Sequence, residues 1–186
     1  MTTENFISNG PIVSFFLQVA NIFESITKFA SAIFCWSSAL LIVAIISNVT
    51  LRYGFNQGLI LFEEIQWHLY AIGIVFGLSY AEITNSQVRV DVVASRLKEK
   101  TVRFWEIFGA LFFVLPFIFV ILYNSWDYVA ASYNLSESSS SPMGLPYRWL
   151  IKAAIPASFI LFAMAVFSRL IRNVIAIFQP SQVVGD

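Results

Sequence analysis

The chain has 186 residues, of which 58% are apolar and 12% are charged, and its mean hydropathy is +0.75. A soluble domain of this length cannot bury so much hydrocarbon, so the composition excludes an ordinary soluble protein. With 11 basic and 11 acidic residues the formal net charge is zero, and no nucleic-acid partner is expected.

Four segments are each apolar and long enough to cross a bilayer, whose hydrocarbon core of about 30 Å requires about 20 residues of helix. They are residues 30–49, 65–81, 105–129 and 150–171. We therefore predict an all-α membrane protein with a four-helix transmembrane domain at 30–171, an N-terminal segment at 1–29 and a cytoplasmic tail at 172–186. Pro116 and Pro156 each remove a backbone donor within a span, so we expect a kink at each.

The segment before the first span also has an apolar face. Its apolar residues follow helical spacing, with polar residues on the opposite side: Ile12, Phe15, Phe16, Val19, Ile22, Phe23 and Ile26 against Ser14, Gln18, Asn21 and Ser25. No Lys or Arg precedes Lys28, so the positive region of a signal peptide is missing and we expect no cleavage. Two arrangements remain open. The segment is either an amphipathic helix in the cytoplasmic interface, which we favour, or an extension of the first span.

Basic residues are divided unequally between the two sides that alternating spans create. One side holds eight of the 11 Lys and Arg, namely Lys28, Arg89, Arg96, Lys98, Lys100, Arg103, Arg169 and Arg172. The other side holds Arg52, Arg148 and Lys152. Because short cytoplasmic loops are enriched in Lys and Arg, we predict that both termini are cytoplasmic.

Two connections between spans have distinct compositions. Residues 91–100 mix cations with Val93 and Leu97, which fits a short cytoplasmic surface helix, although a solvated topology signal is the simpler interpretation. Residues 136–146 combine consecutive serines with Pro142, Gly144 and Pro146, which favours a turn-rich loop on the opposite side.

The second span has two faces that suit contact with other helices. Gly73, Gly77 and Ala81 are spaced by four residues, and small residues in this pattern allow close approach of another helix backbone. Glu64 and His68 lie nearly opposite them on a helical projection. Packing within this bundle and docking of a second membrane protein remain equal alternatives for these faces.

Charged residues cluster where the first two spans are joined. Arg52 ends the first span, and Glu63 and Glu64 open the second after a short connection. We therefore predict that Arg52 pairs with one of the two carboxylates near the headgroup level. Arg148 lies on the same side, before the fourth span. Together with His68, these residues are candidates for contact with a partner on the periplasmic side.

No residue pattern predicts a catalytic site, a metal site or a bound cofactor. His68 is the single histidine and Cys35 the single cysteine, so the chain cannot supply paired axial haem ligands or a thiolate metal cluster. Phosphate-loop and dinucleotide fingerprints are absent from the sequence. We expect neither enzymatic activity nor a cofactor in this chain.

The order of several short motifs resembles a known family. They are Asn48-Val49 with Arg52-Tyr53, Glu63-Glu64, Gly77 to Ala81 followed by Gln87-Val88-Arg89-Val90-Asp91, and Gly144-Leu145-Pro146-Tyr147-Arg148-Trp149. With the four-span layout between about residues 30 and 171, this order is similar to the small, DctQ-type membrane subunit of tripartite ATP-independent periplasmic (TRAP) transporters. Gln87 stands where many members have histidine.

The resemblance implies a part in solute import across the bacterial inner membrane. A periplasmic solute-binding protein would deliver a small solute, commonly an organic acid, to a complex of this subunit and a large multi-span permease subunit. Sodium-coupled movement would take place in the large subunit, with the small subunit as a scaffold in contact with membrane lipids. The alternative is a four-span accessory or assembly subunit of an unrelated inner-membrane complex.

Overall fold

Helices make up all the regular structure in the part of the chain that the computed structural model describes, residues 11–56, 58–87, 97–141 and 144–178. Helix α1 is Pro11–Gly54, α2 is Ile60–Ile83, α3 is Glu99–Gly109, α4 is Leu115–Asn134 and α5 is Trp149–Phe178. A π-helical turn, Ala110–Val114, joins α3 to α4, so Glu99–Asn134 is one rod of 36 residues. The described part of the chain therefore folds as four helical rods.

Three of these rods are long and apolar enough to cross a membrane: Val13–Gly54, Glu99–Asn134 and Trp149–Phe178. Helix α2 has 24 residues but is not among them; it carries Glu63 and Glu64 near its start and Glu82 near its end. The prediction of an all-α membrane protein is confirmed, whereas passage of α2 through the bilayer stays a prediction.

Helix α1 runs without a break through the boundary predicted between residues 29 and 30. The continuous helix agrees with the second of the two arrangements considered, while the position of this segment relative to the bilayer stays a prediction. The physical reason is that the small residues of this segment, and not its large apolar ones, pack against the rest of the bundle. Phe15 and Ile22 point outward, at 60% and 56% exposure, whereas Ala20 and Thr27 are fully buried in the bundle. No Gly or Pro interrupts the helix between its first and last residues.

The other helix ends also differ from the predicted span limits. Helix α5 continues to Phe178, so the first part of the predicted tail is helical. The surface helix predicted at 91–100 lies mostly outside the described residues, and α3 begins at Glu99. Residues 179–186 also lie outside the described part of the chain.

The π turn lies directly before Pro116. The Leu115 N–H donates to the Ala110 carbonyl, five residues back instead of four. Proline has no N–H for the carbonyl of Phe112, and its ring crowds that carbonyl. The wider turn accommodates the ring, which explains an irregularity where the sequence predicts a kink. Helix α5 continues on both sides of Pro156.

Helix α5 is the centre of the bundle and packs against α1, α2, α3 and α4. Small hydroxyl side chains make hydrogen bonds across two of these contacts. Ser79 Oγ donates to the Ser158 carbonyl over 3.2 Å, and Ser168 Oγ donates to the Ala20 carbonyl over 3.0 Å. Such small residues let helix backbones approach closely. Their hydroxyl groups also form hydrogen bonds that water cannot provide inside a membrane.

Large apolar side chains face outward, in contrast to a water-soluble bundle. The largest fully buried side chains are those of Thr27, Ser31, Ser79, Ser132 and Ser158. Among the strongly exposed ones are Phe29, Trp36, Phe113, Phe119 and Trp126. An apolar cluster of Ile118, Phe162 and Val166 does pack between α4 and α5. The outer surface therefore suits lipid or an apolar protein surface.

Helices α2 and α4 end in the same way. Asn85 and Ser136 have positive φ angles of 52° and 46°. At each end the next amide N–H reaches back to a carbonyl five residues earlier, Ser86 to Ala81 over 3.0 Å and Glu137 to Ser132 over 3.1 Å. These are Schellman motifs, which satisfy the last carbonyls of a helix and turn the chain sharply. They place Glu82 and Glu137 at opposite ends of the bundle.

Candidate functional site

The first polar cluster joins α2, α3 and α5 near the carboxyl end of α2. Arg169 Nη1 donates to Glu82 Oε1 over 2.8 Å, and Arg169 Nη2 donates to Glu106 Oε1 over 3.2 Å. Asn173, one turn after Arg169 on α5, donates from Nδ2 to Glu106 Oε2 over 2.9 Å. We call Glu82, Arg103, Glu106, Arg169 and Asn173 the Arg169 cluster.

Arg103 extends the Arg169 cluster along α3. Its Nη2 lies 2.6 Å from Glu99 Oε1, one turn earlier on the same helix, and its Nη1 donates to Asn173 Oδ1 over 3.4 Å. Gln87, just beyond α2, donates from Nε2 to Glu82 Oε2. Glu82 therefore has partners on α5 and beyond the end of α2, and Glu106 accepts bonds from two residues of α5.

Helix α1 is tied to the same end of α5 by a second arginine. Arg172 Nη2 donates to Glu24 Oε2 over 2.7 Å and to Asn21 Oδ1 over 2.8 Å. Arg169 and Arg172 are three residues apart and so lie on adjacent parts of one helix surface. Through them α5 forms ion pairs with all three of the other rods.

The side chains of the Arg169 cluster are largely buried within the bundle, so their ion pairs matter for the stability of the fold. The Glu82 side chain is 9% exposed, and those of Arg169 and Glu106 are 23% and 24% exposed. Charges inside apolar helices are costly unless they are paired. Removing one partner of a buried pair leaves an uncompensated charge and typically costs about 3–5 kcal/mol. The cluster therefore favours one arrangement of α2, α3 and α5.

The second polar cluster lies at the other end of the bundle, where Glu64 of α2 holds the loop before α5. Glu64 Oε2 accepts a bond from the Leu145 N–H over 2.6 Å, and Glu64 Oε1 accepts one from Ser139 Oγ. A Cβ at Gly144 would lie 2.6 Å from Glu64 Oε1, so this close approach requires glycine. The loop is thus fixed to α2 at both sides of Gly144.

Glu137 anchors the start of the same loop. It forms ion pairs with Lys152 and, over 3.6 Å, with Arg148, and it accepts a bond from Ser132 Oγ over 2.7 Å. The Lys152 ammonium also lies 4.1 Å from the centre of the Tyr128 ring. The bonds from Lys152 and Ser132 lower the pKa of Glu137 from its usual 4.5. We call Glu64, Glu137, Ser139, Arg148 and Lys152 the loop cluster.

Most of the sequence-predicted contact residues lie at this second end. The predicted pairing of Arg52 is confirmed, since its Nη1 lies 3.9 Å from Glu63 Oε1 and both side chains are more than half exposed. His68 Nδ1 lies 2.6 Å from the Glu64 carbonyl oxygen one turn earlier, so its ring bonds to its own helix. Glu64 and Arg148 have partners within the chain, while Glu63 and Arg52 remain at the surface. Contact of any of these residues with a partner stays a prediction.

The small residues Gly73, Gly77 and Ala81 on α2 lie in two different environments. A Cβ at Gly73 would lie 3.0 Å from Ser37 Oγ and 3.4 Å from Ser38 Oγ, so Gly73 packs against α1. A Cβ at Gly77 would have nothing within 4 Å. Gly73 therefore serves packing within the chain, and docking of another protein beside Gly77 and Ala81 stays a prediction.

The sequence interpretation missed the acidic and basic members of the Arg169 cluster. Glu106 and Arg169 lie inside segments that the sequence predicts as spans, and ionisable groups in such segments are rare. Their rarity in such segments could have marked them as candidates. Their pairing could not be predicted from the sequence, because Glu82, Glu106 and Arg169 are distant along the chain.

Comparison with known proteins gives two matches. The family described as "Tripartite ATP-independent periplasmic transporters, DctQ component" matches residues 41–176. A curated protein of Haemophilus influenzae, named "Putative TRAP transporter small permease protein", is 30% identical over 151 residues, which cover 76% of this chain and 84% of that protein. No solved structure matches the chain significantly. The family match includes all five residues of the Arg169 cluster.

Proposed function

Because the chain belongs to the DctQ family of tripartite ATP-independent periplasmic (TRAP) transporter components, we propose that it braces the large permease subunit of a bacterial solute importer. The family match over residues 41–176 is the observation on which this proposal rests. The large subunit would perform sodium-coupled transport, and a periplasmic binding protein would deliver the solute, in our proposal an organic acid. The chain itself would have no catalytic role.

We propose that all four rods cross the inner membrane and that both termini are cytoplasmic. The excess of Lys and Arg on one side supports this orientation. Under it, the Arg169 cluster lies toward the cytoplasm and the loop cluster toward the periplasm. The polar ends of α2 then lie near the two membrane surfaces, and its apolar middle, Ala71 to Leu78, lies within the bilayer.

A bracing role fits the distribution of polar contacts. Ion pairs tie α5 to α1, α2 and α3 at one end, and the loop cluster ties α2, α4 and α5 at the other. Large apolar side chains cover the outside and are available to lipid or to the large subunit. A bundle fixed at both ends suits a stationary support for a moving partner.

Reconstituted uptake tests the proposal. Liposomes containing the large subunit, with binding protein and solute outside, should take up solute rapidly only when this chain is present. Full uptake without the chain would contradict a bracing role. Replacing the chain by an Arg169→Gln variant should lower uptake in parallel with its lost stability.

A second experiment addresses contact with the binding protein. Arg148→Glu should slow uptake at low binding-protein concentration without dissociating the membrane complex, because charges at the rim of an interface mainly affect encounter. Neutralising Glu63 and Glu64 together should do the same, although loss of Glu64 also releases the loop, so Glu63→Gln alone is the cleaner variant. Unchanged kinetics in all of these variants would restrict the chain to bracing inside the membrane.

A further inference from the structure

Two adjoining cavities lie beside the Arg169 cluster. The first, of ≈ 340 Å³, has polar groups of the cluster at one end and an apolar wall of Gly109, Ala110, Val114, Val166 and Leu170. Trp105, which is 58% exposed, also lines it. This wall follows the π turn and the facing side of α5, and π turns are frequent at binding sites.

The second cavity, of ≈ 360 Å³, is predominantly charged. It shares Glu106, Arg169 and Asn173 with the first cavity and adds Glu99, Arg103 and Arg172. Each volume lies within the range of about 300–1,000 Å³ that is typical of small-molecule sites. The two cavities adjoin one another at the three residues that they share, and we call the pair the chamber, with a charged end and an apolar end.

Among the residues that the structure describes, the charges that line the chamber are balanced. Its acidic residues are Glu82, Glu99 and Glu106, and its basic residues are Arg103, Arg169 and Arg172. An anionic headgroup would meet as many carboxylates as guanidinium groups. A headgroup with one negative and one positive charge suits both sets, since guanidinium groups bind phosphate and carboxylates accept bonds from ammonium.

One donor in this region has no acceptor among the described residues. Arg172 Nε is buried and makes no hydrogen bond there, although Nη2 of the same side chain bonds to Glu24 and Asn21. A buried donor without a partner costs about 1–3 kcal/mol. Arg172 lines the charged end of the chamber, so a small shift of its guanidinium group would let a phosphate oxygen accept this bond.

We propose that this chamber binds one zwitterionic phospholipid with a primary ammonium group, such as phosphatidylethanolamine. The phosphate lies against Arg103 and Arg172, the ammonium donates to Glu99 and Glu106, and one acyl chain lies along the apolar wall. Carboxylate oxygens accept more than one hydrogen bond, so the ammonium adds to the existing pairs. The site is separate from the bracing role and requires no partner subunit.

Lipid retention by the full-length chain tests the apolar end. A Cβ at Gly109 would have nothing within 4 Å, so the Gly109→Leu chain should fold normally. The leucine side chain would then fill the apolar end of the chamber. Gly77→Leu is the matched control, because Gly77 is also open and does not line the chamber. Native mass spectrometry in detergent with added phosphatidylethanolamine should show one retained lipid in the wild type and Gly77→Leu, and none in Gly109→Leu. Equal retention in both variants would overturn the proposal.

Lipid competition and a charge variant test the charged end. Phosphatidylethanolamine should be retained in preference to phosphatidylcholine, which has no ammonium N–H, and to anionic phosphatidylglycerol. Arg172→Gln should weaken retention roughly tenfold, as expected for loss of a charge-assisted bond, while Arg148→Gln at the other end should have no effect. Equal retention of the three lipids, preference for the anionic one, or unaltered retention in Arg172→Gln would contradict the assignment.

Discussion

The Arg169 guanidinium lies 2.8 Å from the Glu82 carboxylate and joins the central helix α5 to the carboxyl end of α2. The same guanidinium lies 3.2 Å from Glu106 of α3, so one cation bridges two acids from two helices. The mutual arrangement of three helices therefore depends strongly on a single side chain. This dependence makes Arg169 the most informative position for testing the fold.

Arg169→Gln should destabilise the bundle by about 3–5 kcal/mol, because the largely buried Glu82 and Glu106 would then lose the cation that they share. Thermal unfolding of the detergent-solubilised chain, followed by loss of the monodisperse peak on size exclusion, measures the effect. Adding Glu82→Gln should recover part of the loss, since one of the two uncompensated charges then disappears.

Arg52→Gln is the matched control for this prediction. It also removes a cation from an ion pair, but the pair with Glu63 is exposed and 3.9 Å long. Such surface pairs contribute about 0–1 kcal/mol. Equal losses of stability in Arg169→Gln and Arg52→Gln would show that the Arg169 cluster contributes no more to stability than an exposed ion pair.

The two glycines of α2 should respond differently to leucine. Gly73→Leu should lower the unfolding temperature of the isolated chain, because its side chain would collide with Ser37 and Ser38 of α1. Gly77→Leu should leave that temperature unchanged, because the position is open. If Gly77→Leu nevertheless lowers the yield of the complex with the large subunit, α2 docks there. A destabilised Gly77→Leu chain would contradict the open position.

The loop before α5 should loosen in acid through Glu137. Because its pKa is lowered in the folded chain, Glu137 stabilises the loop fully above its usual value of 4.5, and this stabilisation is lost as the pH falls through the folded-state pKa. Hydrogen-exchange protection factors for Ser138–Ser141 should therefore hold from neutral pH down to about 4.5 and fall below it. Glu137→Gln should have low protection already at neutral pH. High protection in that variant would show that Glu137 does not hold the loop.

The sequence predicted the helices well because long apolar runs depend on local composition. The positions at which the helices begin and end were less predictable. The apolar spacing of Phe15 to Ile26 was correct as a helical pattern, but it could not show which face is buried. In a membrane the apolar face can point outward, as Phe15 does, while Ala20 and Thr27 pack inside.

The polar clusters were harder to predict than the helices. Arg52 and Glu63 are close along the chain, and their pairing followed from a short connection. Glu64 and Leu145 are bonded across 81 positions, and nothing local to either residue indicates the other. Gly144 offered an indirect signal, since a loop glycine often marks close approach, but not the identity of its neighbour.

Reporter fusions test the proposed four-span topology. Fusions after Ala94 and at the C-terminus should report a cytoplasmic location, and fusions within Ser138–Ser141 a periplasmic one, because the basic residues are divided eight to three. The Ala94 fusion is the decisive one, because α2 is not among the three helices that are long and apolar enough to cross a membrane. A periplasmic signal after Ala94 would leave α2 outside the bilayer.

Purification of the tagged chain from its own membranes tests the bracing role most directly. In mild detergent we expect one large multi-span permease subunit to elute with the wild-type chain in a fixed ratio, and to be reduced with the Arg169→Gln chain because its helices are no longer held together. Recovery of the folded chain alone, or with subunits of an unrelated complex, from membranes that contain the large permease would contradict the account.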